Sequence, residues 1–357
     1  MPFGHYMITG IPGSGKTVVL LSRAVHLAKM YPDWKILILT YNKALTSQLQ
    51  VKLKSIKEDL EDLDILIDNI EIATFHQKSN ALSALSPQDY KKNSAEFWQD
   101  ILPNDAIKNA KPSYDAILVD EYQDFYNNWF ELILKLLIEH KDKEDKPHKN
   151  LFLAGDRLQS IYNPKDINWK KDIGLDMRGR TKLLKTSYRV TNEHIDLGLS
   201  ILCKDTSYAK EVEVFYEQAK NIVLKNISKN SIELLEGNYQ EVAQKFESLL
   251  VEYEPKDILL LASSWYGVNT VKKYLSHELQ QQVNSSKDMA VNKATFTTYH
   301  SAKGIEAKVA IVVDIDKVKE RKLLYVASTR ASCKLILHSQ NITNSVIGKE
   351  VLEILQL

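Results

Sequence analysis

The chain has 357 residues, 47 Lys+Arg against 46 Asp+Glu, 44% apolar residues and two cysteines. That length suits two domains, each with its own core, and the apolar share excludes global disorder. Cys203 and Cys333 are too few for a disulfide framework or a cysteine-based metal site. No apolar run approaches the roughly 18–20 residues that span a bilayer, and the start lacks the layout of a signal peptide. The chain reads as cytoplasmic, with no membrane partner. A formal charge of +1 does not advertise a nucleic-acid surface, so any such surface must be built from a few local side chains.

In chain order, the first half shows an apolar run at His5–Thr9, helical periodicity over Lys16–Met30, a run at Lys35–Thr40 and periodicity over Lys43–Ile56. Runs at Ile70–Thr74 and Asp115–Asp120 precede a helical pattern over Asn127–His140 and a run at Leu151–Ala154. A run at Thr181–Leu184 leads into the second half. There helical patterns over Tyr239–Tyr253, Val268–Leu279 and Glu320–Ala331 alternate with runs at Ile258–Ser263, Ala294–Thr298, Val309–Asp314 and Lys334–His338. Short apolar runs between helices read as buried parallel strands, so the expected class is α/β with parallel sheets. Lys52–Asp64 and Lys141–Lys149 read as exposed connectors, and Asn163–Arg180 as irregular. The expected boundary lies near Asp176, dividing the chain into 1–176 and 177–357.

Gly10-Ile11-Pro12-Gly13-Ser14-Gly15-Lys16-Thr17 matches G-x-x-x-x-G-K-[ST] between an apolar strand and an amphipathic helix, the context that gives this phosphate-binding motif meaning. Glycines let backbone N–H groups turn toward a phosphate, and the helix adds its N-terminal dipole. Lys16 would reach the β/γ-phosphates of a bound nucleotide, and Thr17 would ligate Mg²⁺. Ala116-Ile117-Leu118-Val119-Asp120-Glu121 then delivers Asp120 to the carboxyl edge of the sheet as a second Mg²⁺ ligand, with Glu121 placed to polarise the attacking water. A guanine reader is not evident, since neither Asn42-Lys43-Ala44-Leu45 nor Asn292-Lys293-Ala294-Thr295 carries the required acid.

The chain resembles a superfamily-one helicase of the UvrD/Rep type, in a minimal form. The resemblance runs in order through Thr40-Tyr41-Asn42-Lys43-Ala44-Leu45, Ala73-Thr74-Phe75-His76 and Asp120-Glu121-Tyr122-Gln123-Asp124-Phe125. It continues through Gly155–Tyr162, Ser187-Tyr188-Arg189, Thr298–Glu306 and Leu324–Ala331. The stretch Trp169–Arg189 is most similar to helicases that follow a nuclease-related domain. The resemblance implies two RecA-like domains and an ATP-hydrolysing motor that moves 3′ to 5′ on single-stranded nucleic acid, most simply DNA. It implies that Gln123 and Gln159 link nucleotide state to the nucleic-acid side, that Tyr188 stacks on the base and that Glu306, beside Gly304, contacts the ribose. Arg189 and Arg330 become arginine fingers.

Single-strand binding needs aromatic platforms and phosphate contacts. The expected set is Tyr41, Phe75 and His76, in loops beyond strand ends, with Thr40, Asn42, Thr74, Thr298, His300 and Ser301. Many family members carry a stacking Trp where this chain has Pro164, so Tyr162 or Trp169 is the expected substitute. Only the span 77–114 precedes the second acidic motif, enough for a short helical insertion, so the family's accessory domains are expected to be reduced or absent. Little chain lies upstream of the first strand to hold the family's adenine-reading segment. An alternative is therefore a regulatory ATPase subunit of a multi-protein phage-defence or nuclease complex, with little unwinding activity alone, whose partner is a nuclease or other protein.

Overall fold

The computed structural model describes residues 4–61, 67–85, 94–142, 144–160, 167–218 (backbone only over 215–218), 222–285 and 292–356. The chain divides into two compact units, Met1–Gly10 with Gly15–Leu184, and Ile11–Ser14 with Lys185–Leu357.

The first unit runs β1 (Tyr6–Gly10), α1 (Lys16–Met30), β2 (Ile36–Thr40), α2 (Lys43–Glu61), β3 (Ile70–Thr74), α3 (Phe75–Leu82), α4 (Leu102–Asn109), β4 (Ala116–Asp120), α5 (Asn127–Leu136), β5 (Glu139–Lys141), β6 (Pro147–Gly155) and β7 (Thr181–Leu184). Its strands lie in the order β3-β2-β4-β6-β1-β7, with β5 paired to β6. Every pairing is parallel except β5 with β6. Alternate residues of β2 feed opposite faces: Leu37 and Leu39 pack with Phe130 and Ile133 of α5, while Ile36 and Ile38 pack with Leu20 and Ala24 of α1. Both faces are thus covered, which is why the strands are apolar throughout rather than alternating. Parallel register aligns Thr40 with Thr74 and Asp120 with Ala154, so the polar strand ends share one carboxyl edge.

The second unit runs β8 (Thr186–Thr191), α6 (Asn192–Cys203), α7 (Thr206–Gln218), β9 (Val223–Asn226), β10 (Ile232–Glu236), α8 (Tyr239–Leu249), β11 (Ile258–Ala262), α9 (Trp265–Tyr274), α10 (His277–Gln281), β12 (Val283–Ser285), β13 (Ala294–Thr298), β14 (Ala307–Val313), α11 (Arg321–Ser328), β15 (Ala331–Ser339) and α12 (Val346–Leu355). A parallel sheet in the order β10-β15-β14-β11-β13-β12 is its centre, and β8 pairs separately with β9. Leu260, Ile311 and Phe296 pack with Phe246 of α8 and Val271 of α9 on one face. Leu259, Leu261 and Val312 of the other face are buried as well. Two RecA-like α/β units with parallel sheets result. Among the described residues, the span 77–114 holds the rest of α3, a wide helical turn at Phe97–Ile101 and α4.

Several expected elements change. The charged stretch from Lys52 is helical to Glu61, because Leu53, Ile56 and Leu60 continue the apolar face of α2 onto the core. The other expected connector, Lys141–Lys149, belongs to a hairpin in which Glu139 faces Lys149, and α5 stops at Leu136. The pattern over Val268–Leu279 splits where Ser276 caps α10. Strand β7 hydrogen-bonds to β1, so the first unit runs to Leu184, near the expected boundary at Asp176.

Phe246 is fully buried and meets Phe296 edge-on at 5.0 Å between ring centres. Phe246→Ala should destabilise the second unit by about 3–5 kcal/mol in urea unfolding, and a loss below about 1 kcal/mol would contradict this packing.

Candidate functional site

Strand β1 ends at Gly10 and the chain turns through Gly13 (φ 73°) and Gly15 (φ 84°) into α1. Both angles lie in the left-handed region that side chains avoid. Gly15 is the N-cap of α1 and no side chain caps the first turn, an arrangement that suits an anionic ligand at the helix N-terminus. Lys16 Nζ donates to Gly10 O at 3.0 Å, which curls the ammonium back over the loop. Ser14 is buried.

Thr17 Oγ1 donates to Asp120 Oδ2 at 3.1 Å, and Glu121 N donates to Asp120 Oδ1 at 3.0 Å. Asp120 is 1% exposed. Burial, reinforced by the Glu121 charge, raises its pKa from 3.8 to about 7, against the opposing hydrogen bonds and the Lys16 charge. A hydroxyl beside a carboxylate is a hard oxygen donor set of the kind that Mg²⁺ takes together with substrate phosphates. A cation there would offset the cost of keeping Asp120 ionised. The residues present fit the ion.

Glu121 adopts a left-handed backbone (φ 54°), an uncommon and strained conformation for this residue type. Its carboxylate accepts a hydrogen bond from Gln123 Nε2 at 2.5 Å. The other end of that side chain, Gln123 Oε1, accepts from Asp156 N at 3.1 Å, and Ser160 Oγ donates to Gln123 O at 3.3 Å. One carboxamide therefore joins the end of β4 to the segment after β6. Gln159 is buried in the short turn Arg157–Gln159 of that segment. Gly155 is part of the same arrangement. A Cβ on it would overlap Gln123 Oε1 and lie 2.7 Å from the Tyr122 ring. Sequence reasoning placed Gly155 in a motif without a role.

The strand-end aromatics form a cluster. Tyr41 is half-buried and stacks on Trp129 at 5.9 Å. His76 is half-buried and donates from Nε2 to Trp98 O at 3.2 Å. Burial lowers its pKa, so at neutral pH it brings an edge and no charge. Phe75 needs correction: it is 1% exposed and stacks on Trp129 at 4.1 Å, so it supports the cluster from the core and offers no face to a base. The expected loop is a helix start, because Thr74 and Gln77 form a capping box for α3. Thr74 spends its hydroxyl on that cap. Thr40 is fully buried, its hydroxyl shared with Thr46 Oγ1 at 2.6 Å and Asn42 O at 3.2 Å. Asn42 Oδ1 accepts from Leu45 N at 2.8 Å. The structure thus assigns the two threonine hydroxyls to local structure instead of phosphate contact. Trp98 and Trp129 carried no local signal, since the fold alone brings them to β2 and β3. Trp169 meets Tyr122 and Phe130 edge-on, and Tyr162 lies outside the described residues.

In the second unit the predicted residues fall on two edges of one sheet. Thr298 ends β13 at the carboxyl edge, its hydroxyl donating to Ser301 Oγ at 3.3 Å, and His300 beyond it is exposed. Glu306 directly precedes β14 at the amino edge. Gly304 (φ 83°) turns the connection between them. Arg189 forms an ion pair with Glu306 and donates from Nη2 to Thr329 O at 3.4 Å. Arg330 is 3% exposed, donating from Nε to Val326 O at 2.8 Å and from Nη2 to Thr329 Oγ1 at 3.2 Å. Tyr188, beside Arg189, is 67% exposed. Arg189, Glu306 and Arg330 are therefore one cluster, away from Thr298, His300 and Ser301. No helix among the described residues is long and apolar enough to cross a membrane.

Fold and site together define a protein with a phosphate-binding loop on RecA-like architecture. Residues 3–165 match a family described as AAA domain, and residues 293–338 match the UvrD-like helicase C-terminal domain. A curated relative from Mycoplasma capricolum subsp. capricolum, named "Probable DNA helicase II homolog", is 26% identical over 254 residues, covering 66% of this chain and 32% of the relative. An ATP-dependent helicase/nuclease subunit from Staphylococcus carnosus is 37% identical over 93 residues, covering 26% of this chain and 7% of the relative. The protein of the same name from Clostridium beijerinckii is 41% identical over 81 residues, covering 23% and 6%. The chain thus spans about a third or less of the length of these relatives. The crystal structure of Arterivirus nonstructural protein 10, a helicase, aligns over 99% of this chain and 62% of that chain, with a TM-score of 0.47 and 12% identity. The two domain matches and the named relatives together support a UvrD/Rep-type superfamily-one helicase.

The raised pKa of Asp120 has a signed consequence. In cation-free protein the favourable contribution of its protonated form is complete below pH 3.8 and is lost as pH rises through about 7. Asp120→Asn should therefore melt above wild type at about pH 8 without divalent ions, with the gain shrinking toward about pH 4. Thermal melts across that range would contradict the burial account if wild type were the more stable at the alkaline end.

Proposed function

We propose that this chain is an ATP-dependent translocase or helicase that acts on single-stranded DNA and moves 3′ to 5′. The observation that carries the proposal is the Gln123 bridge from Glu121 to Asp156 N. It gives the residue that would orient the attacking water a mechanical link to the segment after β6, which is what coupling hydrolysis to movement requires.

The proposed roles follow from position. Gly10, Gly13, Ser14 and Gly15 shape a cradle for the phosphates, and Lys16 supplies its charge. Thr17 and Asp120 hold Mg²⁺, which when bound neutralises phosphate charge. Glu121 holds the attacking water, and Gln159 shares the relay that Gln123 begins. From the second unit, Tyr188 offers a base platform, Glu306 and Gly304 the ribose contact, and Arg189 and Arg330 the cations for developing phosphoryl charge. Ribose contact at Glu306 and phosphate contact by Arg189 are coupled, because the two side chains form one ion pair. Tyr41, Asn42 and His76 of the first unit, and His300 and Ser301 of the second, are the proposed contacts to the strand, with few charges and hence weak non-specific attraction.

A second reading is an ATPase component of a nuclease complex, including one serving antiviral defence, whose partner is a nuclease or other protein. It draws on the names of the helicase/nuclease relatives, which are subunits.

ATPase should be titrated with single-stranded DNA, RNA and duplex, and repeated with GTP. Single-stranded DNA is expected to stimulate turnover, and Lys16→Ala to lower it at least about a hundredfold. Indifference to nucleic acid together with an unimpaired Lys16→Ala would refute the motor reading. Low turnover that rises only when a nuclease partner is added would favour the second. Gly155→Ala, which drives a methyl group into Gln123, should reduce DNA-stimulated turnover more than the basal rate.

A further inference from the structure

Strands β8 and β15 both break register where the second-unit arginines lie. On β8, Thr186 and Ser187 face Val223 and Leu224 in step, but the next pairing is Thr191 with Asn226. Extra residues, Tyr188 and Arg189 among them, are therefore bulged out of the ladder. On β15, Ala331 faces Ala307 and the next pairing is Lys334 with Val309, so the strand bulges at Ser332–Cys333, just after Arg330. Bulges bend a strand, leave backbone groups outside the regular ladder and re-aim side chains.

Asn226, the last residue of β9, closes both. Its Nδ2 donates to Arg189 O at 2.5 Å and to Ser332 O at 2.7 Å. A carboxamide nitrogen has two N–H groups, and here each is directed at one bulge. The residue is half-buried, and its immediate neighbours Lys225 and Ile227 are exposed. One side chain thus clips together the backbone that carries Arg189 and the backbone that follows Arg330. Thr329 adds a further tie, accepting Arg189 Nη2 at its carbonyl and Arg330 Nη2 at its hydroxyl.

We propose that Asn226 is the positioning residue for both arginines, setting the separation at which the two cations meet the phosphoryl group. The inference rests on the ATPase reading above. Asn226 touches no substrate; it acts through Arg189 and Arg330. An aspartate has its shape but no N–H, and would set a negative charge against two carbonyl oxygens, so Asn226→Asp should be at least as harmful as Asn226→Ala.

The test is ATP turnover of the full chain with single-stranded DNA, in wild type, Asn226→Ala, Asn226→Asp, Arg189→Ala and the double variant Asn226→Ala/Arg189→Ala. Asn226→Ala is expected to lower kcat about ten- to a hundredfold, as for a misplaced catalytic group, with KM for ATP within about twofold. Groups acting as one unit are non-additive, so the double variant, in which Asn226 can act only through Arg330, should lose less than the product of the two single losses. A thermal melt of each variant monitors folding. Wild-type kcat in Asn226→Ala, with Arg189→Ala inactive, overturns the Asn226 inference alone. So does a double variant that multiplies the two losses, the mark of a merely structural residue. Wild-type kcat in Arg189→Ala overturns the arginine-finger reading, and the positioning role with it.

Discussion

Asp120 is held out of water at the end of a strand that is buried along its whole length. Strand β4 runs between β2 and β6, and its last residue, Asp120, is 1% exposed. The side chain is left with the Thr17 hydroxyl, the Glu121 N–H and the nearby Lys16 charge. Those partners are too few to keep a carboxylate ionised at its ordinary pKa, so the cation-free site carries a standing electrostatic cost. Much of the first unit's local geometry is arranged around that cost. The left-handed Glu121, the Gln123 carboxamide and the bare Cα of Gly155 occupy the space directly beyond it. Stability is traded at this point for a place where a divalent ion and phosphates would be more welcome than water.

The second unit is organised by direction along a sheet. Its parallel strands separate the carboxyl edge, with Thr298, His300 and Ser301, from the amino edge, with Glu306 and the backbone of Arg330. The short connection 299–306 carries the chain from Thr298 at one edge to Glu306 at the other and is anchored along its length: Tyr299 is buried with its hydroxyl donating to Val313 O, and Lys303 is buried as well. A connection pinned inside the unit transmits displacement better than a free loop. The near-zero net charge takes its place in the same picture. Burial lowers the His76 pKa and Arg189 is paired with Glu306, so neither position adds an uncompensated charge at neutral pH.

Much of the framework is legible without coordinates. The phosphate loop, the strand ending in Asp120-Glu121 and most buried strands follow from apolar runs bounded by polar or glycine residues, because parallel strands covered on both faces need no other pattern. Legibility fails where local pattern and tertiary packing disagree. The charged tail of α2 looks like a connector, yet Ile56 and Leu60 hold it to the core. Phe75 follows a strand end and looks available for stacking, yet the capping box of Thr74 and Gln77 turns it into a helix and onto Trp129. Strands β8, β9 and β10 are short and half-exposed, so they lack the apolar runs that reveal β11 or β14.

Sequence by itself determined the chemistry available: a lysine and a threonine at a glycine turn, an acid pair at the end of an apolar strand, and two arginines in the second half of the chain. It determined these because each depends on a few adjacent residues whose spacing is set by one turn or one strand. Only the tertiary structure decided which of those groups meet. That Gln123 spans from Glu121 to Asp156, that Gly155 must lack a side chain and that Asn226 ties two bulges are facts of packing between segments far apart in sequence. Their partners are backbone carbonyls and N–H groups, which every residue carries and no sequence pattern can mark.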